Sequence, residues 1–232
     1  MSVIVVSGTG TEIGKTIVTA ALAAVAVREG RSVAVLKPAQ TGLAPGERGD
    51  ADEVVRLSGA TTSVELARFP EPLAPATAAR RAGMTPVGPR AVAEAAGKLA
   101  TEYDLVLVEG AGGLLVRFDH DGGTLADAAR LLGAPVLVVT PAGLGTLNST
   151  ALTAEALAAR GIEQLGVVVG SWPAAPDLAS RCNLADLPEA AGAPLLGAVP
   201  EGAGGLDPDL FRAEAQRWLA PALGGTWAAD TL

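Results

Sequence analysis

VIVVSGTGTEIGKT, Val3 to Thr16, decides the fold. Four apolar residues and a serine read as a buried strand, Val3–Ser7. A glycine-rich turn follows, and then an alanine-rich stretch with helical character. Backbone N–H groups in such a turn, together with the N-terminus of the next helix, form a cradle for phosphate oxygens. Lys15 would reach the β- and γ-phosphates of a nucleotide, and the Thr16 hydroxyl would ligate Mg²⁺. The spacing departs from the strict phosphate-loop form: five residues separate Gly8 from Gly14, and Thr9 stands where a first glycine is expected.

Outward from this loop, short apolar runs alternate with helical stretches. A helix is expected from about Thr16 to Glu29, with Gly30 just past its end in a left-handed cap. Strands are expected at Ser32–Leu36, Leu105–Val108, Val136–Thr140, Leu165–Val169 and Leu195–Val199. Helices are expected near 51–58, 91–101, 125–132, 146–160 and 208–219. Pro38 to Gly49 reads as a loop. Phe69–Pro75, with three prolines in seven residues, reads as neither helix nor central strand. Strands joined by helical crossovers imply an α/β fold: a doubly wound, mostly parallel sheet with helices on both faces, of the P-loop NTPase type. Residues 1–232 are expected to form one domain, with disorder in the tail from about Gly224.

Composition narrows the function. The chain is 49% hydrophobic yet only 3% aromatic, so its core is built from Ala, Val and Leu. Mean hydropathy is +0.37, but the longest purely apolar run, Ala20–Val27, is far too short to span a bilayer. No basic segment precedes the first apolar run, so no signal peptide is read, and a cytoplasmic, non-membrane protein is expected. Net charge is −8 with no basic run, which argues against a nucleic-acid partner. One cysteine, Cys182, and one histidine, His120, leave no basis for a disulfide or a zinc site.

In open parallel sheets ligands gather at the carboxyl ends of strands, and chemically distinctive residues follow the apolar runs here. Lys37 ends the second run, in KPAQTG, as either a solvated charge or a second cation beside Lys15. Glu109 ends LVLVE, where a carboxylate supports Mg²⁺ in nucleotide enzymes, and glycines follow it, Gly112 among them. Asp50 and Asp52 lie beyond the KPAQTG loop, each a Mg²⁺ ligand or a helix cap. Gly143-Leu144-Gly145-Thr146-Leu147-Asn148 leads small residues into a helix, where N–H groups would meet a carboxylate. Gly170, Ser171 and Trp172 follow another strand, where either a nucleotide base lies or Trp172 packs in the core.

The set GTGTEIGKT, KPAQTG, VEGAGG and GLGTLN, in this order at strand ends, resembles the dethiobiotin synthetase family over about residues 1–200. The resemblance implies a homodimeric ligase of biotin biosynthesis that uses ATP and Mg²⁺ to convert 7,8-diaminononanoate and CO₂ to dethiobiotin, ADP and phosphate. It implies Thr16, Asp50 and Glu109 around Mg²⁺, with Asp50 preferred over Asp52. Thr11, Glu12, Ile13, Gly14, Lys15 and Thr16 would line the nucleotide, Ile17 excluded, with Gly170–Trp172 at its base. Lys37 and Lys15 would be catalytic, Thr41 would assist the carbamate near Lys37, and Gly112 would contact substrate. Gly143, Leu144, Gly145, Thr146 and Asn148 would receive the substrate carboxylate from the neighbouring subunit.

Many family members carry an Asn-Asp pair where this chain has Gly170-Ser171-Trp172, so a loose choice of base, CTP and other triphosphates included, is expected. Two other readings compete. A switch ATPase of the MinD/ParA type carries a lysine five residues before the loop lysine, and Gly10 holds that place. An amide-forming synthetase with a glutaminase would need a nucleophilic cysteine, and Cys182 has no such context.

Overall fold

A computed structural model describes residues 2–60 and 62–229. Seven strands form one sheet, every pairing parallel: β1 (Val3–Gly8), β2 (Val33–Thr41), β3 (Thr62–Phe69), β4 (Leu105–Glu109), β5 (Val136–Thr140), β6 (Gln164–Trp172) and β7 (Leu195–Pro200). The order across the sheet is β3-β2-β4-β1-β5-β6-β7. The helices are α1 (Lys15–Arg28), α2 (Asp50–Ser58), α3 (Pro75–Ala82), α4 (Pro89–Leu99), α5 (Leu125–Leu132), α6 (Thr146–Ala158), α7 (Leu178–Ala191) and α8 (Pro208–Glu214).

Strand alternation divides the core between the two faces. Ile4 and Val6 join one apolar cluster with α1, α2 and residues of α7 and α8. Val5, Val106 and Val138 join another with residues of α4 and α5. Helix α1 is apolar on nearly every side, and Ala20, Ala21, Ala23, Ala24 and Ala26 are all buried. Such small side chains let a helix lie close to the sheet, at little cost in side-chain entropy.

Three elements depart from the sequence expectation. Strand β3 and helix α7 had no sequence reading, and α3 follows directly on the proline-rich segment with Pro75 at its first position. Proline suits that position, because its missing N–H would have had no partner there. The expected loop from Pro38 is corrected too: β2 continues through Pro38 to Thr41, so Lys37 sits within the strand and not at its end. Past Leu36, β2 pairs only with β3, since β4 ends at Glu109. Pro38 is skipped in the β3 ladder, so its missing N–H leaves no gap.

The tail is docked as far as Trp227. Trp227 is buried and donates its backbone N–H to Leu219 O at 2.9 Å, and Thr226 N–H donates to Gln216 O at 2.7 Å. The last three residues of the expected disordered tail lie outside the described residues, as does Met1. Among the described residues no helix is long and apolar enough to cross a membrane.

Candidate active site

The turn between β1 and α1 wraps around the start of the helix. Gly14 is the residue before α1 and adopts φ +90°, and a Cβ there would lie 2.1 Å from Gly170 O at the end of β6. A Cβ on Gly170 would lie 2.0 Å from Ile13 O. The two glycines therefore let the loop seat directly on β6. Glu12 takes φ +57°, the only non-glycine residue among those described in the left-handed region. The Lys15 ammonium reaches back over the loop and donates to Gly10 O at 2.7 Å. Burial and the neighbouring Lys37 lower its pKa from 10.5 to about 8.

Four side chains converge beside this loop. Lys37 is 3% exposed and Glu109 only 1%. The Lys37 ammonium contacts Asp50 Oδ2 at 2.6 Å and Glu109 Oε1 at 2.8 Å, and donates to Gly110 O at 3.1 Å. All three of its protons are thereby used. Thr16 Oγ1 donates to the same Glu109 Oε1 at 2.9 Å. Burial disfavours charge on Lys37, but Glu109 and Asp50 outweigh it and hold the pKa above the ordinary lysine value.

The second oxygen of Glu109, Oε2, is buried with no hydrogen-bond partner. An ionised carboxylate oxygen in that state calls for a cation. Two carboxylates and a hydroxyl beside a phosphate cradle are the donor set Mg²⁺ takes in nucleotide enzymes. The residues present fit that ion. Among the described residues no group of three His, Cys, Asp or Glu could hold a metal ion.

A cleft of about 690 Å³ opens over this group, lined by Thr11 to Thr16, Lys37, Thr41, Asp50, Glu109 and Gly112. Asp50 faces Lys37, whereas Asp52 Oδ1 accepts from Ser63 Oγ at 2.8 Å on β3, away from the cleft. Ile17 packs against the core. Sequence reasoning missed Ala39, Gln40, the Pro72–Pro75 segment, Ala111 and Val116, which complete the wall. Only the proline cluster signalled that segment, since cleft-lining apolar residues look like any others.

Two expected groups lie outside the cleft. Gly170 is buried beneath the loop, Ser171 is exposed, and Trp172 is 8% exposed within the apolar core, so its ring is not offered to a base. Gly143 to Asn148 lead into α6. Thr146 is buried in a hydroxyl chain, with Thr140 Oγ1 2.5 Å from Thr146 Oγ1 and 3.3 Å from Thr9 Oγ1, which joins the α6 N-terminus to the phosphate loop. Asn183 Nδ2 donates to Ala142 O at 2.7 Å and Gly143 O at 3.0 Å, fixing the turn from behind. Gly145 and Asn148 face outward, and Leu144 is 93% exposed.

A family model described as an AAA domain matches residues 2–204. Among solved structures, a ParA family ATPase from Chlorobium tepidum shares the fold at a TM-score of 0.57, with 14% identity over 96% of each chain. An ATP-dependent dethiobiotin synthetase BioD from Streptomyces avermitilis is 74% identical over all of this chain and 97% of its own length. A protein of the same name from Streptomyces coelicolor is 70% identical, covering 99% and 97%. With a phosphate loop, a lysine held between two acids and likeness along the whole chain, the protein belongs to the ATP-dependent dethiobiotin synthetase family.

Proposed function

We propose that this chain is a Mg²⁺-dependent ligase that makes dethiobiotin, ADP and phosphate from 7,8-diaminononanoate, CO₂ and ATP, acting in the cytoplasm as a homodimer. The observation that carries this reading is Lys37, buried at the mouth of the phosphate loop between Asp50 and Glu109. A switch ATPase needs only to bind and hydrolyse its nucleotide. A second buried cation a strand away from Lys15 serves a reaction in which one more anion must approach the triphosphate.

The chemistry divides into three steps. One substrate amine adds to CO₂ and loses a proton, giving a carbamate anion. A carbamate oxygen attacks the γ-phosphorus and ADP departs, leaving a carbamic–phosphoric anhydride. The second amine attacks the anhydride carbon, expels phosphate and closes the ureido ring. Charge builds on the transferring oxygens in the second step, where preorganised cations matter most. Lys15 serves the β- and γ-phosphates. Lys37 serves the carbamate, with Thr41 at the far end of the same strand segment lining the same cleft. Thr16, Asp50 and Glu109 would hold Mg²⁺, which when bound neutralises phosphate charge.

Asn148 and the turn at Gly143–Thr146, which line no part of this chain's own cleft, are assigned to the substrate carboxylate of a second copy. Leu144 and the half-exposed Leu152 supply apolar surface for that contact. Base recognition falls to Ser171 and backbone groups, which discriminate less than an Asn amide would. The test is phosphate release from Mg·ATP and bicarbonate, with and without 7,8-diaminononanoate, with product mass followed in parallel. Diamine-dependent release with dethiobiotin formed is the expected result. Diamine-independent hydrolysis would return the protein to the switch-ATPase reading.

A further inference from the structure

Helix α2 begins at Asp50, and its first backbone N–H groups need partners from outside the helix. The residue before it, Gly49, has no side chain to offer. A Cβ at Gly49 would lie 2.0 Å from Glu65 Oε1, 2.8 Å from Arg68 Nη2 and 3.2 Å from Gln40 Oε1, so a side chain there would displace the polar groups that fasten this corner. The partner comes instead from β2. Gln40, 5% exposed, accepts the Asp50 N–H on Oε1 at 2.9 Å, and its Nε2 donates to Thr41 O at 3.3 Å.

The same corner is fastened from β3. Arg68 pairs with Glu65 through two bonds of 2.8 Å and donates through Nη1 to Ala44 O and Glu47 O, tying down the loop that leads into α2. Asp50 thus reaches Lys37 from a helix terminus whose first N–H is held by a strand side chain and whose preceding loop is held by an arginine.

We propose that Gln40 is a positioning residue: by binding the Asp50 backbone it aims the Asp50 carboxylate into the cation site, and so sets how much Mg²⁺ strengthens nucleotide binding. The proposal rests on the reading that Asp50 holds Mg²⁺. Gln40 acts through Asp50, in the way that partners of metal ligands commonly govern metal affinity by ten- to a hundredfold.

The experiment measures ATP affinity by calorimetry on the full chain, with Mg²⁺ and with chelator, and takes the ratio as the coupling. Gln40→Met, which keeps the volume and removes the acceptor, is expected to cut the coupling at least tenfold, beyond any change it makes in metal-free ATP affinity. Gln40→Glu, which keeps an acceptor at the helix N-terminus, is expected to retain most of the coupling. Asp50→Asn supplies the reference. If Asp50→Asn cuts the coupling and Gln40→Met does not, the role of Gln40 is refuted. If Asp50→Asn also leaves it unchanged, the Asp50 metal reading fails and the proposal with it. A Gln40→Met protein that loses metal-free affinity to the same extent would show general structural support in place of positioning, and would overturn the proposal.

Discussion

Nucleotide binding should draw a proton from solution, and Lys15 should be where it goes. Without nucleotide the Lys15 ammonium is buried, repelled by Lys37 and bonded only to Gly10 O, and its pKa falls to about 8. A phosphate charge at about 4 Å, at the effective dielectric of a partly buried site, returns roughly 4 kcal/mol, or about three pKa units. The bound pKa then lies well above 10. At pH 8 half of the free protein lacks the proton, so metal-free ATP should bind with uptake of about 0.5 proton per site, rising to about 0.9 at pH 9. Affinity should weaken about fivefold between those two pH values. Calorimetry in buffers of different ionisation enthalpy reads the uptake directly, and Lys15→Gln should abolish it. The same depressed pKa acts on stability in a fixed direction. The unfolded chain holds this proton more tightly than the folded one, so Lys15 costs stability below pH 8, by about 3 kcal/mol, and the cost is relieved as pH rises from about 8 to 10.5. Comparison of thermal melts of wild type and Lys15→Gln across that window isolates it. Binding enthalpies independent of buffer at pH 9 would refute the reasoning.

Lys37→Ala should lower turnover by roughly 10²–10³, as for loss of one charge-stabilising group, and wild-type turnover would remove Lys37 from the mechanism. It should also lower stability by about 3–5 kcal/mol, because Glu109 and Asp50 lose a buried partner; Mg²⁺ should then raise the melting temperature of the variant more than that of wild type. With Trp172 in the core and no Asn at position 171, kcat/KM for ATP, CTP and GTP should fall within about tenfold of one another if backbone groups do the reading. A hundredfold preference for ATP would show that a side chain reads the base. Leu144→Asp, a charge on a residue 93% exposed, should leave the fold intact and yield monomers of low turnover by light scattering and product assay; an active monomer would overturn the shared-site reading.

The strands legible in the sequence are those whose residues are nearly all buried. VIVVS, LVLV and VLVVT are unbroken apolar runs, and the residues at their ends, Lys15 and Thr16 after the loop and Glu109 at the last position, could be named as site residues from position alone. Strand β3 was hidden because it is only partly buried along its length, whereas β7 at the opposite edge is a mostly buried apolar run. The β3 sequence TSVELARF alternates Val64 and Leu66, packed against the core, with polar neighbours, and every residue but Phe69 is only partly buried. Helix α7 was hidden by apolar residues that do not gather on one face and by Pro188 within it. The groups at Gly170–Trp172 and Gly143–Asn148 were visible as small residues after strands, but the direction in which they face is a property of packing that spacing does not carry.

The missed edge strand also explains why Lys37 was placed at the end of its strand. Proline is excluded from a strand only where its N–H would face a paired neighbour, and without β3 nothing in the sequence continues β2 through Pro38. Once β3 is present and β4 stops at Glu109, the outer half of β2 needs one neighbour only. The register then does what a turn could not. Leu36 stands opposite Val108, so Lys37 and Glu109 follow side by side on the face that carries α1. A cation and a carboxylate fixed by strand pairing meet at 2.8 Å without ordering a loop, and the conformational entropy of that contact is lost when the sheet forms and not when the substrate binds. The same strand carries Gln40 three residues on, at the start of α2. Lys37, Gln40 and Thr41 therefore keep their mutual spacing as long as β2 holds to β3, and the edge strand that the sequence concealed is what keeps one wall of the active site rigid.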